Sequence, residues 1–139
     1  MKETNTVIGG EGNGGVIYPE SHYGRDALVG VGLFLSHFVA EGKSMTALKA
    51  TYPQYFISKN KLTLSPDMDV DKILEGLKKK YASEEITDID GVKIDFKDGW
   101  VHLRKSNTEP IIRIYSESKD EAAANQLAEE VIKVAQNLY

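Results

Sequence analysis

Apolar positions in the first part of the chain follow a helical pattern. From 27 to 40, apolar residues surround most of the circumference of a helix, which predicts a helix covered on more than one side. Asp26 is placed to cap the start of this helix, and Gly42 to end it. A shorter helix is expected over 44–51, beginning with a capping serine. The residues ahead of the long helix offer only one or two short strands, so this part predicts a partial α/β segment.

Beyond Tyr55 the pattern switches to short alternating runs separated by turns. Alternation from 55 to 64 predicts a strand, and apolar residues at helical spacing predict a helix over 69–81. Asp90-Gly91 between two alternating runs predicts a tight hairpin. Ser118 with Glu121 forms a capping-box pattern ahead of a last helix. The other apolar runs predict strands at 86–89, 92–96, 100–103 and 111–115.

Together these segments are interpreted as a strand, a helix, three antiparallel strands and a final helix. The predicted fold class is therefore α+β, a two-layer sandwich of a four-stranded antiparallel sheet with two helices on one face, preceded by the partial α/β segment. We expect two domains, at 1–52 and 53–139.

Composition limits the function classes without selecting one. A hydrophobic share of 41% and a charged share of 27% are ordinary for a soluble globular protein. A net charge of -4 argues against nucleic acid as a partner, because nucleic-acid binders usually gather positive charge. The lack of cysteine excludes a thiolate metal site and fits a cytoplasmic location. No signal peptide is visible and the most apolar segment is too short for a bilayer, so no membrane partner is expected.

A turn between two apolar runs concentrates groups that bind anions. Arg104 and Arg113 can each present a planar fork of donors to phosphate oxygens. Ser106 and Thr108 add hydroxyl donors, and Asn107 adds an amide. Composition alone would favour an ordinary polar hairpin turn, since Ser-Asn is common in turns. The residues therefore mark a candidate phosphate site that needs further support.

A second candidate loop runs from Gly9 to Gly15 and contains five glycines in seven residues. It lacks the lysine and hydroxyl of a Walker loop and the spacing of a dinucleotide fingerprint. As a bare pattern it is most often a flexible linker.

The pattern R-x-S-N-T-E-P-x-x-R-I-x-x-E resembles the phosphate-binding loop in the last domain of the α-D-phosphohexomutases. That family includes phosphoglucomutase, phosphomannomutase and phosphoglucosamine mutase. Nine positions carry the resemblance, namely Arg104, Ser106, Asn107, Thr108, Glu109, Pro110, Arg113, Ile114 and Glu117.

The resemblance covers the whole chain and implies a role for each part. Residues 1–52 would be the tail of the family's third domain, and 53–139 its TATA-binding-protein-like, phosphate-binding C-terminal domain. The glycine loop resembles the family's sugar-recognition loop, with Glu11 and Asn13 contacting sugar hydroxyls. The implied partner is a hexose phosphate, and the implied activity is an isomerase that interconverts hexose 1- and 6-phosphates.

Two parts of the family's chemistry have no counterpart in this sequence. The S-H-N-P-like loop that carries the phosphoserine nucleophile is absent, so no catalytic residue is assigned here. Asp67, Asp69 and Asp71 alternate, but they lack the glycines of the family's magnesium loop and fit a helix start better. The resemblance thus implies Mg²⁺ in the full-length enzyme with ligands outside this stretch, and a chain that is a C-terminal piece.

The sequence leaves three functions open. The first is the C-terminal part of a phosphohexomutase, inactive alone. The second is a stand-alone phosphosugar-binding module without catalysis, and the third is an interaction domain that uses the open sheet. An exposed apolar helix at 26–41 would also offer a surface for a homo-oligomer. The sequence does not select among glucose, mannose and glucosamine phosphates.

Overall fold

The computed structural model describes residues 1–11, 14–65 and 68–138. The chain divides into two compact units, Met1–Pro53 and Gln54–Tyr139, called unit 1 and unit 2 below. No helix in the described ranges is long and apolar enough to cross a membrane.

Unit 1 contains two short strands followed by two helices. Strand β1 (Gly9–Gly10) pairs antiparallel with β2 (Val16–Ile17), and helices α1 (Ala27–Glu41) and α2 (Met45–Lys49) follow. The Asp26 carboxylate accepts the backbone N–H groups of Leu28 and Val29, and Gly42 ends α1 in the left-handed conformation at φ 61°. The predicted caps of this helix are therefore confirmed.

The expected cover over α1 is not found. None of its 15 residues, all of them described, is buried. Leu28 is 84% exposed and Val39 is 77% exposed. The described elements do not supply this cover, because a helix cannot bury its faces without partner elements, and β1 and β2 have two residues each. The helix is therefore exposed, as expected for 26–41.

Unit 2 is a sheet with two helices. Its strands run antiparallel in the order β3-β7-β6-β5-β4. Both helices place residues in the same core cluster as the sheet, which supports the predicted two-layer α+β class. The elements are β3 (Phe56–Thr63), α3 (Val70–Lys80), β4 (Glu85–Thr87), β5 (Val92–Phe96), β6 (Gly99–Lys105), β7 (Ile111–Ser118) and α4 (Glu121–Gln136).

The predicted four-stranded sheet was one strand too few, although each of the five observed strands overlaps one of the strand segments predicted at 55–64, 86–89, 92–96, 100–103 and 111–115. Strand β4 is only three residues long and pairs only with β5, at the edge of the sheet. Its central residue, Ile86, lies opposite the fully buried Ile94, so β4 contacts the core through this one inward side chain. The predicted strand at 86–89 ends at Thr87, and Ile89 is 92% exposed in the turn.

The hairpin predicted at Asp90-Gly91 is present. Gly91 has φ +79°, and a Cβ at this position would lie 2.2 Å from the carbonyl oxygen of Leu103. Glycine is therefore required twice, by the backbone conformation and by the neighbouring strand.

The capping box predicted for the last helix is wrong in its first residue. Asp120 is the N-cap of α4, and its carboxylate accepts the N–H of Ala123 at 2.8 Å. Ser118 is still part of β7, and its hydroxyl donates to the carbonyl of Asp98 at 2.7 Å. A residue paired in a strand on both sides cannot also turn its side chain to a helix start two residues later.

Candidate phosphate-binding site

The two arginines of the motif lie directly opposite each other on neighbouring strands. Arg104 is on β6, Arg113 is on β7, and the two are register partners. Successive side chains of a strand point to opposite faces. Because Leu103 and Ile114 are fully buried against the helices, both arginines point to the helix-free face. The sheet thus brings two guanidinium groups together beside the loop at 106–110.

Backbone hydrogen bonds fix that loop at both ends. The Ser106 N–H donates to the carbonyl of Ile111 at 3.0 Å, and the Ile111 N–H donates to that of Glu109 at 2.8 Å. The Leu64 N–H donates to the carbonyl of Pro110 at 2.9 Å, which ties the loop to the chain after β3. A loop anchored in this way presents its side chains in a fixed arrangement.

The hydroxyl and amide groups of the loop differ in exposure. Ser106 is only 8% exposed, and its Oγ lies 3.4 Å from both the backbone N and the Oγ1 of Thr108. Asn107 and Thr108 are exposed. The sequence-predicted residues of unit 2 are therefore all in or beside one loop, with Ser106 at its base.

Each arginine has a carboxylate neighbour. Arg104 Nη1 is 2.8 Å from Asp90 Oδ2, and Arg113 Nη2 is 3.8 Å from Glu109 Oε2. All four side chains are at least 40% exposed, so these pairs contribute little stability. An incoming dianion can therefore compete with the carboxylates at small cost.

Three residues of this face were missed as site residues by sequence reasoning. His102 Nε2 lies 2.6 Å from the backbone carbonyl oxygen of Asp90. The side-chain carboxylate of the same Asp90 accepts a hydrogen bond from Arg104. His102, Arg104, Arg113 and Tyr115 line a pocket of about 130 Å³. Counting two residues back from Arg104 and two forward from Arg113 would have found His102 and Tyr115, since strand alternation places them on the same face. Asp90 was interpreted only as a turn residue.

The predicted sugar loop lies in unit 1. The Glu11 N–H donates to the carbonyl of Gly15 at 2.9 Å, and Glu11 Oε2 is 3.6 Å from Arg25 Nη1. Asn13, the second predicted sugar-contacting residue, lies outside the described residues. The two predicted sites are thus in different units.

The start of α1, next to this loop, has a hydrogen-bonded histidine. His22 Nδ1 accepts the Gly24 N–H at 3.0 Å, so Nε2 carries the proton and donates to Asp26 Oδ2, also at 3.0 Å. Hydrogen bonds from the Val29 N–H and from His22 lower the pKa of Asp26. His22 is therefore part of the helix cap.

Metal ligands are not gathered anywhere in the part of the chain that the structure describes. Asp67, from the aspartate run, is outside that part. Asp69 caps α3 by accepting the N–H groups of Asp71 and Lys72.

Comparison with known proteins covers both units. Residues 1–55 match the family described as phosphoglucomutase/phosphomannomutase, alpha/beta/alpha domain III, and 61–134 match the phosphoglucomutase/phosphomannomutase C-terminal domain. A phosphoglucosamine/phosphogalactosamine mutase of Sulfurisphaera tokodaii is 39% identical over 98% of this chain and 30% of its own length. A phosphoglucomutase/phosphomannomutase of Thermococcus kodakarensis is 41% identical over 96% of this chain and 29% of its own length.

One solved structure is also similar to this chain over nearly its whole length. A phosphoglucomutase/phosphomannomutase family protein from Burkholderia thailandensis aligns with a TM-score of 0.68 and 26% identity, over 97% of this chain and 30% of that one. The chain therefore spans about 30% of the length of the relatives it matches. Because its two units match two successive domains of one family, the chain belongs to the phosphoglucomutase/phosphomannomutase family.

Proposed function

We propose that this chain forms the phosphate-holding and sugar-contacting part of a phosphohexomutase, an isomerase acting on hexose phosphates. The observation that carries the proposal is the cross-strand pair of Arg104 and Arg113 beside the anchored loop of Ser106, Asn107 and Thr108. The family matches over both units support the same reaction class.

The work of these residues is electrostatic positioning. Two guanidinium forks facing the same space can each make paired hydrogen bonds to phosphate oxygens. The hydroxyl of Thr108 and the amide of Asn107 are exposed and can donate to the same anion. A phosphoryl group held in this way fixes the sugar for a reaction at its other end, and no proton transfer by these residues is required.

Glu11 and Asn13 are proposed to orient the sugar ring. A carboxylate accepts hydrogen bonds from sugar hydroxyls, and an amide can both donate and accept. Arg25 Nη1, 3.6 Å from Glu11 Oε2, pairs with the carboxylate and favours one orientation of its side chain. These contacts would select among hexoses by the positions of their hydroxyls.

Mg²⁺ and a phosphoserine nucleophile belong to the proposed reaction but not to the residues described above. The described ranges offer no group of ligands for the metal, so no step is assigned through it. The sequence has no S-H-N-P-like loop. We therefore propose that the 139-residue chain alone binds hexose phosphate without turning it over.

Chemical-shift titration with glucose 6-phosphate tests the proposal. We expect shifts in the amides of 104–113 and a dissociation constant on the order of 1 mM, because several charge-assisted contacts are offset by an open site. Affinity should rise as the pH passes about 6, where the monoester becomes a dianion.

Arg104→Lys gives the sharper version of this test. It keeps the charge but loses the fork, so binding should weaken by about 1 to 2 kcal/mol. Lys133→Arg on α4 is the control and should leave affinity unchanged. Equal affinity of the wild type and Arg104→Lys would contradict the phosphate assignment, and shifts confined to residues outside 104–113 would place the ligand elsewhere. Mutase turnover by the purified chain with Mg²⁺ would refute the claim that it is inactive alone.

A further inference from the structure

The helix-free face of the unit 2 sheet carries three cations in one row across three strands. Lys61 on β3 lies opposite Arg113 on β7, which lies opposite Arg104 on β6. Neighbouring strands are about 4.8 Å apart, and like charges placed directly opposite each other destabilise a sheet. The row is therefore a cost to the unliganded fold, and an anion would relieve it.

The next row of the same face adds a fourth cation. Lys59 lies opposite Tyr115, which lies opposite His102. The Lys59 ammonium is 5.8 Å from the centre of the Tyr115 ring, within the range of a cation–π contact. Lys59 and Lys61 are two residues apart on β3, so strand alternation places both on this face.

Arg113 and Tyr115 stand between two pockets on this face. One pocket, of about 130 Å³, contains Arg104 and His102 and belongs to the phosphate site described above. The other, of about 290 Å³, contains Lys59 and Lys61. Both pockets are lined by Arg113 and Tyr115, so a single guanidinium reaches ligands in either one.

Charge is left uncompensated mainly in the second pocket. Arg104 and Arg113 have carboxylate neighbours, whereas neither Lys59 nor Lys61 forms an ion pair with any residue in the ranges 1–11, 14–65 and 68–138. The far side of the face is balanced, since Lys93 pairs with Asp95. The positive excess is thus local, and it adjoins the phosphate loop.

We propose that the pocket of Lys59, Lys61 and Arg113 is a second anion subsite, which takes the second phosphoryl group of a small ligand that carries two. The five N–H donors of Arg113 allow it to contact both groups, one in each pocket. The inference deepens the proposed function, because it rests on the first phosphoryl group lying beside Arg104.

A long polyanion fits this face less well than a small one. Beyond the two pockets the second row continues only to Lys93, which pairs with Asp95, and Asp95 and Glu117 lie on the next row of the same face. A nucleic acid extending beyond the pockets would meet these carboxylates. The chain has a net charge of -4, so it has no general attraction for polyanions.

The test compares inorganic phosphate with pyrophosphate at fixed pH and ionic strength, using the 139-residue chain. Pyrophosphate should shift the amides of 59–61 in addition to those of 104–113, and should bind about tenfold more tightly than phosphate, as one more charge-assisted contact implies. Lys61→Met should remove most of that advantage and change phosphate affinity by less than about twofold. Lys133→Met makes the same charge change on α4 and should alter neither affinity.

Three results would overturn the subsite. They are pyrophosphate binding no tighter than phosphate, an equal loss of both affinities in Lys61→Met, and unshifted amides at 59–61. Lys61→Met should also unfold no more easily than the wild type when followed by Trp100 fluorescence, because it removes a repulsion. A clear loss of stability would mean that Lys61 serves the fold, and Lys61→Gln then repeats the comparison with a polar side chain.

Different experimental results would refute the second subsite and the proposed function. If glucose 6-phosphate leaves 104–113 unshifted while pyrophosphate still shifts 59–61, the phosphate-loop proposal fails and an anion site at the lysines stands. If glucose 6-phosphate shifts 104–113 and pyrophosphate adds nothing at 59–61, the loop proposal stands and the second subsite is refuted.

Discussion

Helices in unit 1 and unit 2 begin with the same kind of local capping signal, but the two units differ in how many apolar side chains they bury. Both begin their helices with side-chain caps, at Asp26 and Ser44 in one and at Asp69 and Asp120 in the other. In unit 2 the helices bury Ile73, Leu77 and Val131 completely or almost completely against the sheet. Among the described residues of unit 1, Leu48 is the only buried apolar side chain.

The comparison shows that local signals place elements, while burial supplies most of their stability. Helical stability in proteins comes mainly from the packing of an apolar face. Helix α1 has apolar residues on every side and a side-chain or glycine cap at each end, yet none of its residues is buried. We therefore expect hydrogen exchange to be slow in the strands of unit 2 and fast in α1.

The largest expected effect comes from matched leucines in the two units. Leu77→Ala removes a fully buried side chain from α3 and should lower the free energy of unfolding of unit 2 by about 2 to 5 kcal/mol. Leu35→Ala on α1 removes a side chain that is 49% exposed and should cost much less. Denaturant unfolding followed by Trp100, the only tryptophan of the chain, reports unit 2, and exchange of α1 amides reports unit 1. Similar costs for the two variants would show that α1 is packed in solution.

The next largest effect is expected from alanine substitutions of one glycine in each unit. Gly91→Ala should destabilise unit 2 by about 2 kcal/mol or more, because the position has φ +79° and the new Cβ meets the carbonyl of Leu103. Gly32→Ala should stabilise α1 by up to about 1 kcal/mol, because alanine favours a helix and no described atom lies within 4 Å of the added Cβ. Thermal unfolding and α1 amide exchange check the pair. A destabilising Gly32→Ala would indicate a close partner on that side of α1.

The helix caps give a smaller effect that depends on pH. Asp120→Ala should cost unit 2 about 1 kcal/mol. The pKa of Asp26 is lowered in the fold, so its cap contributes fully above the ordinary aspartate pKa of about 3.9 and is lost as the pH falls through the lowered value. Amide exchange at Leu28 and Val29 should therefore accelerate in that acidic range, relative to the intrinsic rate. Asp26→Ala should show fast exchange at every pH, and a wild type that matched it at neutral pH would rule out the cap.

The smallest change in unfolding is expected from an exposed apolar position. Leu35→Lys should alter the stability of unit 1 by less than about 0.5 kcal/mol, as for most surface substitutions. The same variant tests the predicted homo-oligomer through 26–41, because a lysine on an apolar contact would weaken it. Sedimentation of the wild type should then depend on concentration and that of Leu35→Lys should not. Identical behaviour of the two proteins would exclude a contact at Leu35.

The sequence by itself determined the features that act within a few residues. Asp26, Gly42 and Ser44 cap or end their helices as predicted, Asp69 lies at the predicted start of α3, and Gly91 makes the predicted turn. Such features depend on backbone groups two to four residues away, so a local pattern is enough to find them. The motif from Arg104 to Glu117 indicated the family for a related reason, since spacing along one loop is visible in the sequence.

Features that depend on distant partners were decided only by the tertiary structure. The pairing of β3 with β7 set Lys61 opposite Arg113, and that of β6 with β7 set Arg104 opposite Arg113. Ser118 met Asp98 across the sheet and so left the cap of α4 to Asp120. Register joins residues far apart in the chain, and burial depends on which elements are present to cover a face. For that reason the row of cations could not be obtained from the pattern of the residues, whereas the exposure of α1 was expected from the few elements that precede it in the sequence.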